Sequence, residues 1–357
     1  MKVFKVLGLM SGTSLDGLDL AYCHFWEESG SWQFEIQKAT TSAYNTEWTE
    51  KLQSAITYDV KDLFKLDREY GVYLGQQARA FIDREVLEVD YIASHGHTVH
   101  HQPDAGFTYQ IGSGQHLATE SGYLTICDFR TKDLVLGGQG APLVPIGDQL
   151  FFSQYHFCLN LGGISNLSLE IEGKRIAYDI GIANMLLNHL SCKLGSAFDA
   201  GGTIARQGRL DENLLSKLNN LPYYALPYPK STGFEWFSAK IIPLVERSDL
   251  EIPDLLKTSV YHIAEQIARQ LQLHPKGDRS NVLVTGGGAF NDYLIEVLNE
   301  KLGPDIDIMV PSKKLVSFKE AMVFAFMGLL RIQGQTNVLS SVTGARTDSC
   351  SGVLYMP

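Results

Sequence analysis

The chain has 357 residues, 45% of them apolar and 20% charged, with 33 glycines and a net charge of −10. That length exceeds one ordinary core of ~100–200 residues and points to about two domains, while the composition excludes disordered and fibrous classes. With no basic surplus and no Lys/Arg-rich block, neither nucleic acid nor an anionic membrane is expected as a partner.

Residues 3–10, V-F-K-V-L-G-L-M, read as a strand that ends at a Gly/Ser/Thr turn, and residues 18–25 as its hairpin partner. Residues 32–40 alternate, with Trp32, Phe34 and Ile36 on one face of a third strand. From 60 to 85 the spacing turns helical, with Leu63, Leu66, Tyr70, Leu74, Ala78 and Phe81 at threes and fours. Strands resume at 89–94 and 123–127. The same grammar restarts at Phe157: a strand over 157–161, a G-G-I-S-N turn, strands over 167–171 and 175–178 ending at Asp179, and a helix over 183–194. Strand, glycine turn, strand, strand, helix, written twice, suggests an ancient duplication. A helix follows at 260–271, closed by a turn at 275–277; a short buried strand at 282–284 runs into T-G-G-G. Asn291 caps the next helix and Gly303 stops it, before a strand at 306–310 and a helix at 318–331. Strands alternating with helices make the chain α/β.

Cys23, Cys127, Cys158, Cys192 and Cys350 are scattered without any C-x-x-C, which fits a reducing compartment. The apolar start is broken by Lys2 and Lys5 and does not read as a signal peptide. The longest apolar run, 321–330, is half of the ~20 residues a membrane span needs. A cytoplasmic location is expected.

The P-loop, the dinucleotide fingerprint, the nucleophile elbow and H-E-x-x-H are all absent. His95, His97, His100 and His101 form one metal-like cluster, in which an H-x-H at a strand end points both imidazoles to one face. Histidines facing a substrate, or partly buried, are the preferred reading over a metal hydrolase, because no carboxylate motif accompanies them. Glycine-bearing hairpin tips let backbone N–H groups approach an anion. The first tip, M-S-G-T-S-L-D-G-L-D, offers Ser11, Gly12, Thr13, Ser14, Leu15 and Gly17, with Asp16 placed to hold a hydrated Mg²⁺ and Asp19 behind it. A second, L-G-G-I-S-N, offers Gly162, Gly163, Ser165 and Asn166. Two such tips could clasp a triphosphate, and Gly286, Gly287 and Gly288 with Asn291 leave a flat surface for a purine.

These parts in this order resemble the sugar kinase, heat-shock ATPase and actin superfamily. The runs M-S-G-T-S-L-D-G-L-D, S-H-G-H-T-V, G-F-T-Y-Q-I-G, D-F-R-T-K-D, G-G-Q-G-A-P-L-V-P, L-G-G-I-S-N, K-S-T-G, G-G-G-A-F-N and S-S-V-T-G-A span nearly the whole chain. Together they resemble the anhydro-N-acetylmuramic acid kinase family. The resemblance implies two duplicated ribonuclease H-like domains with a central ATP and substrate cleft, an actin-like ATPase architecture. It also implies a bacterial cytosolic kinase of cell-wall recycling that takes 1,6-anhydro-N-acetylmuramic acid, water, ATP and Mg²⁺ to N-acetylmuramic acid 6-phosphate; kinases of this kind are often dimers. The family's F-D-x-G-P-G-N reads Tyr178-Asp179-Ile180-Gly181-Ile182-Ala183-Asn184 here, so Asp179 inherits the role of general base. Its place at a strand end before a helix and after the second tip agrees; the plainer alternative is a cap on that helix.

On the sugar side, Arg130 could pair with a lactyl carboxylate or instead with Asp128 or Asp133. His95 and Thr98 match the family's S-H-G-Q-T. Glu320 matches its K-E-A and either contacts the sugar or complements the start of the last helix. Domain I is expected at 1–135 with about 335–357, and domain II at 136–334. Departures from the family pattern, His97, Ile182, Ala183, Asn188, Ala200, Gly201 and Phe234, gather around the expected cleft. They leave open a kinase of another amino sugar, or a weakly active ATP-binding switch of the same superfamily.

Overall fold

The computed structural model describes residues 2–12, 15–274 and 279–357; Thr13 and Ser14 of the first tip, and the turn expected at 275–277, lie outside them. The chain divides into two compact units, Met1–Phe151 with Phe318–Pro357, and Phe152–Ser317.

In the first unit β1 (Phe4–Ser11), β2 (Leu18–Glu28) and β3 (Ser31–Ser42) form an antiparallel meander. After α1 (Thr46–Ser54) and α2 (Val60–Glu85), β4 (Tyr91–Gln102) pairs parallel to β1, and β5 (Phe107–Ile111) folds back on β4. Beyond α3 (Gly114–Ser121), β6 (Thr125–Cys127) pairs parallel to β4, and the strand Val353–Tyr355 closes that edge. α4 (Thr131–Val135) and α5 (Pro145–Phe151) complete this part of the chain. β1 is apolar on both sides because both are covered, as in buried parallel sheets. Leu7 and Leu9 share a core with Leu66, Tyr70, Leu74, Ala78 and Phe81 of α2. On the other face Gly8 and Ala93 lie against Ala321 and Gly328 of the helix Lys313–Ile332.

In the second unit β7 (Phe157–Leu161), β8 (Ile164–Ile171) and β9 (Lys174–Ile182) form another meander, followed by α6 (Asn184–Cys192), α7 (Thr203–Gln207), α8 (Glu212–Asn219) and α9 (Ile252–Gln272). β10 (Ser280–Thr285) pairs parallel to β7, and beyond α10 (Asp292–Leu302) β11 (Ile306–Met309) pairs parallel to β10. The helix Lys313–Ile332 is α11.

The two sheets repeat one plan. The first runs β6-β4-β1-β2-β3 and the second β11-β10-β7-β8-β9, each with a meander on one side of its first strand and parallel strands on the other. This ribonuclease H-like order, present twice, is the duplication that the hairpin grammar suggested. The units divide after Phe151 and before Phe318, not near 135 and 335. Phe151 of α5 packs on Phe25, Phe34 and Phe326, and α11 covers β1, so both segments belong to the first core.

Candidate functional site

In the first unit the histidine stretch is split by its own backbone. Gly96 takes φ +72, a left-handed conformation that interrupts the alternation of β4. His95 therefore rests on Phe324 of α11, ring centroids 4.7 Å apart, while His97 meets Tyr70 of α2 at 6.3 Å on the opposite face. The expected pair of imidazoles on one face does not form. Among the described residues no group of three or more His, Cys, Asp or Glu side chains is placed to hold a metal ion.

His95 Nδ1 lies 2.9 Å from the Gly96 carbonyl and so carries the proton; Nε2 accepts from Arg130 Nε at 3.1 Å and Nη2 at 2.8 Å. Both ring nitrogens are used inside the protein, which corrects the expected substrate contact: His95 orients Arg130. Burial, then the guanidinium, holds His95 well below the usual imidazole range. Arg130 donates from Nη1 to the Gly140 carbonyl at 2.6 Å; burial draws it down to about 10, with Glu320 and Asp133 opposing. The carboxylates expected to pair with it are engaged elsewhere. Asp128 accepts from Thr131 N at 3.2 Å, and buried Asp133 from Gly140 N at 2.8 Å and Thr343 Oγ1 at 2.7 Å. Gln139 N donates to the Thr343 carbonyl, so the motif stretches at 95–98, 128–133, 137–145 and 340–345 meet around Arg130 and Asp133.

Ser11 is buried, and its hydroxyl is committed inward: it accepts from Tyr44 Oη at 2.8 Å and donates to His97 Nδ1 at 3.0 Å, while Tyr44 also meets Tyr70 Oη at 2.6 Å. Burial pushes His97 down to about 4, which keeps it the neutral acceptor. The hydroxyl expected to face phosphate is thus not free to do so. Asp16 is exposed. Asp19 accepts from Thr41 Oγ1 at 2.5 Å; burial raises its carboxyl, Thr41 opposes, and Asp16 adds to the rise. Thr98 is half-buried and accepts from Gln110 Nε2 at 3.3 Å. Glu320 is exposed, and because α11 begins at Lys313 it lies well inside the helix, so the expected role at a helix start is corrected. Its neighbour Lys319 is buried against Asp148 at 2.6 Å.

In the second unit Asn160, Asn166 and Asp179 stand in register on β7, β8 and β9, with Thr285 of β10 opposite Asn160. This polar row crosses the sheet, whereas Leu159, Leu167 and Tyr178 enter the core. The tip at 162–163 gives its carbonyls to the start of α6: Asn184 N reaches Gly162 at 3.1 Å, and Ala183 N and Met185 N reach Gly163 at 2.8 and 3.1 Å. Ser165 is buried and donates to the Gly181 carbonyl at 3.0 Å, which turns its hydroxyl away from the expected phosphate. Gly286 has φ +81, and a Cβ there would meet Asn160 Oδ1 at 2.6 Å and the Leu161 carbonyl oxygen at 2.8 Å; the T-G-G-G segment is therefore pressed against the tip. Gly287 is exposed, Gly288 is buried on Leu161, and Asn291 spends its side-chain Oδ1 capping α10 by accepting from Leu294 N at 3.0 Å.

Asp179 is half-buried. Its amide donates to the Lys230 carbonyl at 3.0 Å, its Oδ2 accepts from Thr232 N at 3.1 Å, and its own carbonyl accepts from Tyr223 Oη at 2.9 Å. Burial raises the carboxyl, against hydrogen bonds from Thr232 N and the Ser231 hydroxyl. The capping alternative is corrected, because the residue at the start of α6 is Ala183, with no side-chain cap. Ile182 and Ala183 are fully enclosed in the core, so two departures are absorbed by packing. Asn188, Ala200 and Phe234 are exposed, and Gly201 takes φ +64. Tyr223, Tyr224 and the 230–232 contacts had no distinguishing spacing; the K-S-T-G match was their one signal.

No helix among the described residues is long and apolar enough to cross a membrane. A family model described as anhydro-N-acetylmuramic acid kinase matches residues 4–357. A curated relative of that name from Xanthomonas oryzae pv. oryzae is 36% identical over 367 residues, covering 98% of this chain and 96% of the relative. Those from Sulfurimonas denitrificans and Aliivibrio fischeri are each 33% identical over 98% of this chain, covering 98% and 99% of their own lengths. Matches of this extent take in both units and every motif stretch described above, and the chain belongs to the anhydro-N-acetylmuramic acid kinase family.

Proposed function

We propose that this protein uses ATP and water to open the 1,6-anhydro ring of 1,6-anhydro-N-acetylmuramic acid and to phosphorylate O6, giving N-acetylmuramic acid 6-phosphate and ADP in peptidoglycan recycling. The observation that supports this reading most directly is Asp179, a half-buried carboxylate at the end of β9, held by Thr232 N and in register with Asn166 beside the glycine tip. As general base it takes a proton from the water whose oxygen bonds C1. The C1–O6 bond breaks, O6 attacks the γ-phosphorus, and the bond to ADP breaks in turn. A positioned base contributes about 10²–10⁴-fold, and positioning with charge stabilisation supplies most of the rest in phosphoryl transfer.

The amides at 162–163 are assigned to the phosphates in place of the Ser11 and Ser165 hydroxyls, and Gly286–Gly288 to the purine. Asp16 and Asp19 suit Mg²⁺, being oxygen donors whose mutual repulsion a hard cation would relieve; bound there with ATP, the ion would neutralise phosphate charge. Arg130 keeps two of its five N–H donors beyond those given to His95 and Gly140, enough for a lactyl carboxylate, and Thr98 and Glu320, the latter acting electrostatically on Arg130, are assigned to the same sugar. A cytoplasmic location is part of this reading, supported by the use of ATP and by the five free cysteines.

Incubation with Mg-ATP and the anhydro sugar in ¹⁸O-water tests the reading. ADP, a 6-phosphate sugar and heavy oxygen at C1 are expected; unlabelled product would remove the water step, and absence of ADP would remove the kinase.

A further inference from the structure

Asp179 stands on the last strand of its sheet, which runs β11-β10-β7-β8-β9. The outer side of an edge strand has N–H and C=O groups with no neighbouring strand to pair them. At Asp179 both backbone groups turn to that open side, and one segment, residues 223–232, meets them there. The Asp179 amide donates to the Lys230 carbonyl at 3.0 Å, its carbonyl accepts from Tyr223 Oη at 2.9 Å, and its Oδ2 accepts from Thr232 N at 3.1 Å. Two backbone groups and the carboxylate of one residue are thus held by a single stretch of chain.

Within that stretch the Tyr223 hydroxyl takes the place that the amide of a further strand would fill. The side chain that carries it is buried, with its ring centroid 5.0 Å from that of Trp236 and 5.6 Å from that of Tyr224. Lys230 Nζ lies 4.9 Å from the Tyr223 ring centroid and 3.5 Å from the Tyr223 carbonyl, which ties the two ends of the segment together across exposed residues 225–229. Tyr224 turns elsewhere: its hydroxyl donates to His262 Nε2 at 2.9 Å, while His262 Nδ1 donates to Asn219 Oδ1 at 2.6 Å. The strand needs an outside tie here. Register shifts between Ser165 and Asn166 as β8 pairs with β9, so that Asp179 opposes Asn166 while Gly181 opposes Ser165. A bulge of this kind re-aims a side chain and leaves its local ladder incomplete.

We propose that Tyr223 is a positioning residue for phosphoryl transfer, its hydroxyl fixing the backbone carbonyl of Asp179 and so keeping the carboxylate on Thr232 N. The role rests on Asp179 being the base. With its amide tied to Lys230 and its carbonyl to Tyr223, the backbone at Asp179 cannot twist, and the carboxylate is presented in one direction. The hydrogen bond from Thr232 N then favours the ionised form that can accept a proton, against the effect of burial. Around it, β8 offers neutral Asn166, Tyr178 of β9 turns away to Gln270 at 3.1 Å, the Lys230 ammonium lies on the Tyr223 ring, and Arg269 of α9 acts on Lys230.

Tyr223→Phe removes the hydroxyl and keeps the ring with its packing. It is expected to lower kcat roughly ten-fold, since small misplacements of a reacting group are costly, with KM for sugar and ATP within about two-fold. The acid limb of kcat/KM should move to higher pH by about half a unit, because the carboxylate loses its hold on a donor to the charged form. Tyr224→Phe is the control: it removes an equally buried hydroxyl from the same segment, one that serves His262 instead, and should leave both kcat and the acid limb in place. An unmoved limb in Tyr223→Phe, or an equal shift in Tyr224→Phe, overturns the positioning role, the second by showing that any loosening of the segment suffices. Normal turnover by Asp179→Asn would end the base reading itself; an inactive Asp179→Asn with an unmoved limb in Tyr223→Phe ends only the role of Tyr223.

Discussion

His95 and His97 are one residue apart and serve two separate networks, because Gly96 rotates the chain between them. Which partner each imidazole finds was not legible in S-H-G-H-T-V, since strand alternation is the only rule available there and a left-handed glycine suspends it. The same holds for Ser11 and Ser165: their presence at the tips was legible, but the direction of a hydroxyl is set by partners such as Tyr44 and the Gly181 carbonyl that lie far off in sequence. Burial of neutral histidines has a measurable result. His97 is lowered from 6.5 to about 4 and His262 to about 3. As pH falls through about 6.5 the unfolded chain binds protons that the folded chain refuses, so stability is lost on acidification across the window from about 6.5 down to about 4, with up to 1.36 kcal/mol per pH unit per histidine. His97→Gln should flatten that slope by about one proton in urea unfolding at a series of pH values; an unchanged slope would mean that His97 is charged in the folded protein.

Elements with an uninterrupted apolar period were legible. α2 spans Val60–Glu85 as the spacing required, starting at Asp59, which caps Asp62 N at 2.9 Å. The apolar pattern predicts β4 only to 94, whereas the strand continues to Gln102, because polar histidines mask a strand whose first seven residues are buried on both faces. α11 starts at Lys313 rather than Phe318, and its cap is Ser312, whose hydroxyl accepts from Leu315 N at 3.3 Å, a start signal present in P-S-K-K but followed by too few apolar residues to stand out. The segment at 223–233, which holds Asp179 through Tyr223, Lys230 and Thr232, follows no period at all. At α2 the packing gives a firm expectation: Leu74 is fully buried among Leu7, Leu9 and Tyr70, so Leu74→Ala should cost about 2–5 kcal/mol in chemical denaturation through lost burial and a residual cavity. A cost below 1 kcal/mol would show that the first core is looser than described.

Across the molecule, the repeated strand order was legible as repeated grammar, whereas the partition was not, because α5 and α11 are assigned to the first unit by contacts that local sequence does not reveal. The net charge of −10 also acts at this scale. Both proposed substrates are anions, so long-range repulsion opposes their approach. Raising ionic strength from ~0.01 M to ~0.1 M shortens the screening length from about 30 to about 10 Å, and kcat/KM for the sugar should rise over that range; a fall would mean that local cations such as Arg130 dominate the field. The partition bears finally on synthesis. The second unit is one continuous segment, but the first lacks α11 and the edge strand Val353–Tyr355 until residues 318–355 have been made. At ~5–20 residues per second, the N-terminal sheet must wait on the order of tens of seconds for its covering helix. The half of the protein translated first is therefore the half completed last, and its exposed apolar face is where a nascent-chain chaperone would be needed.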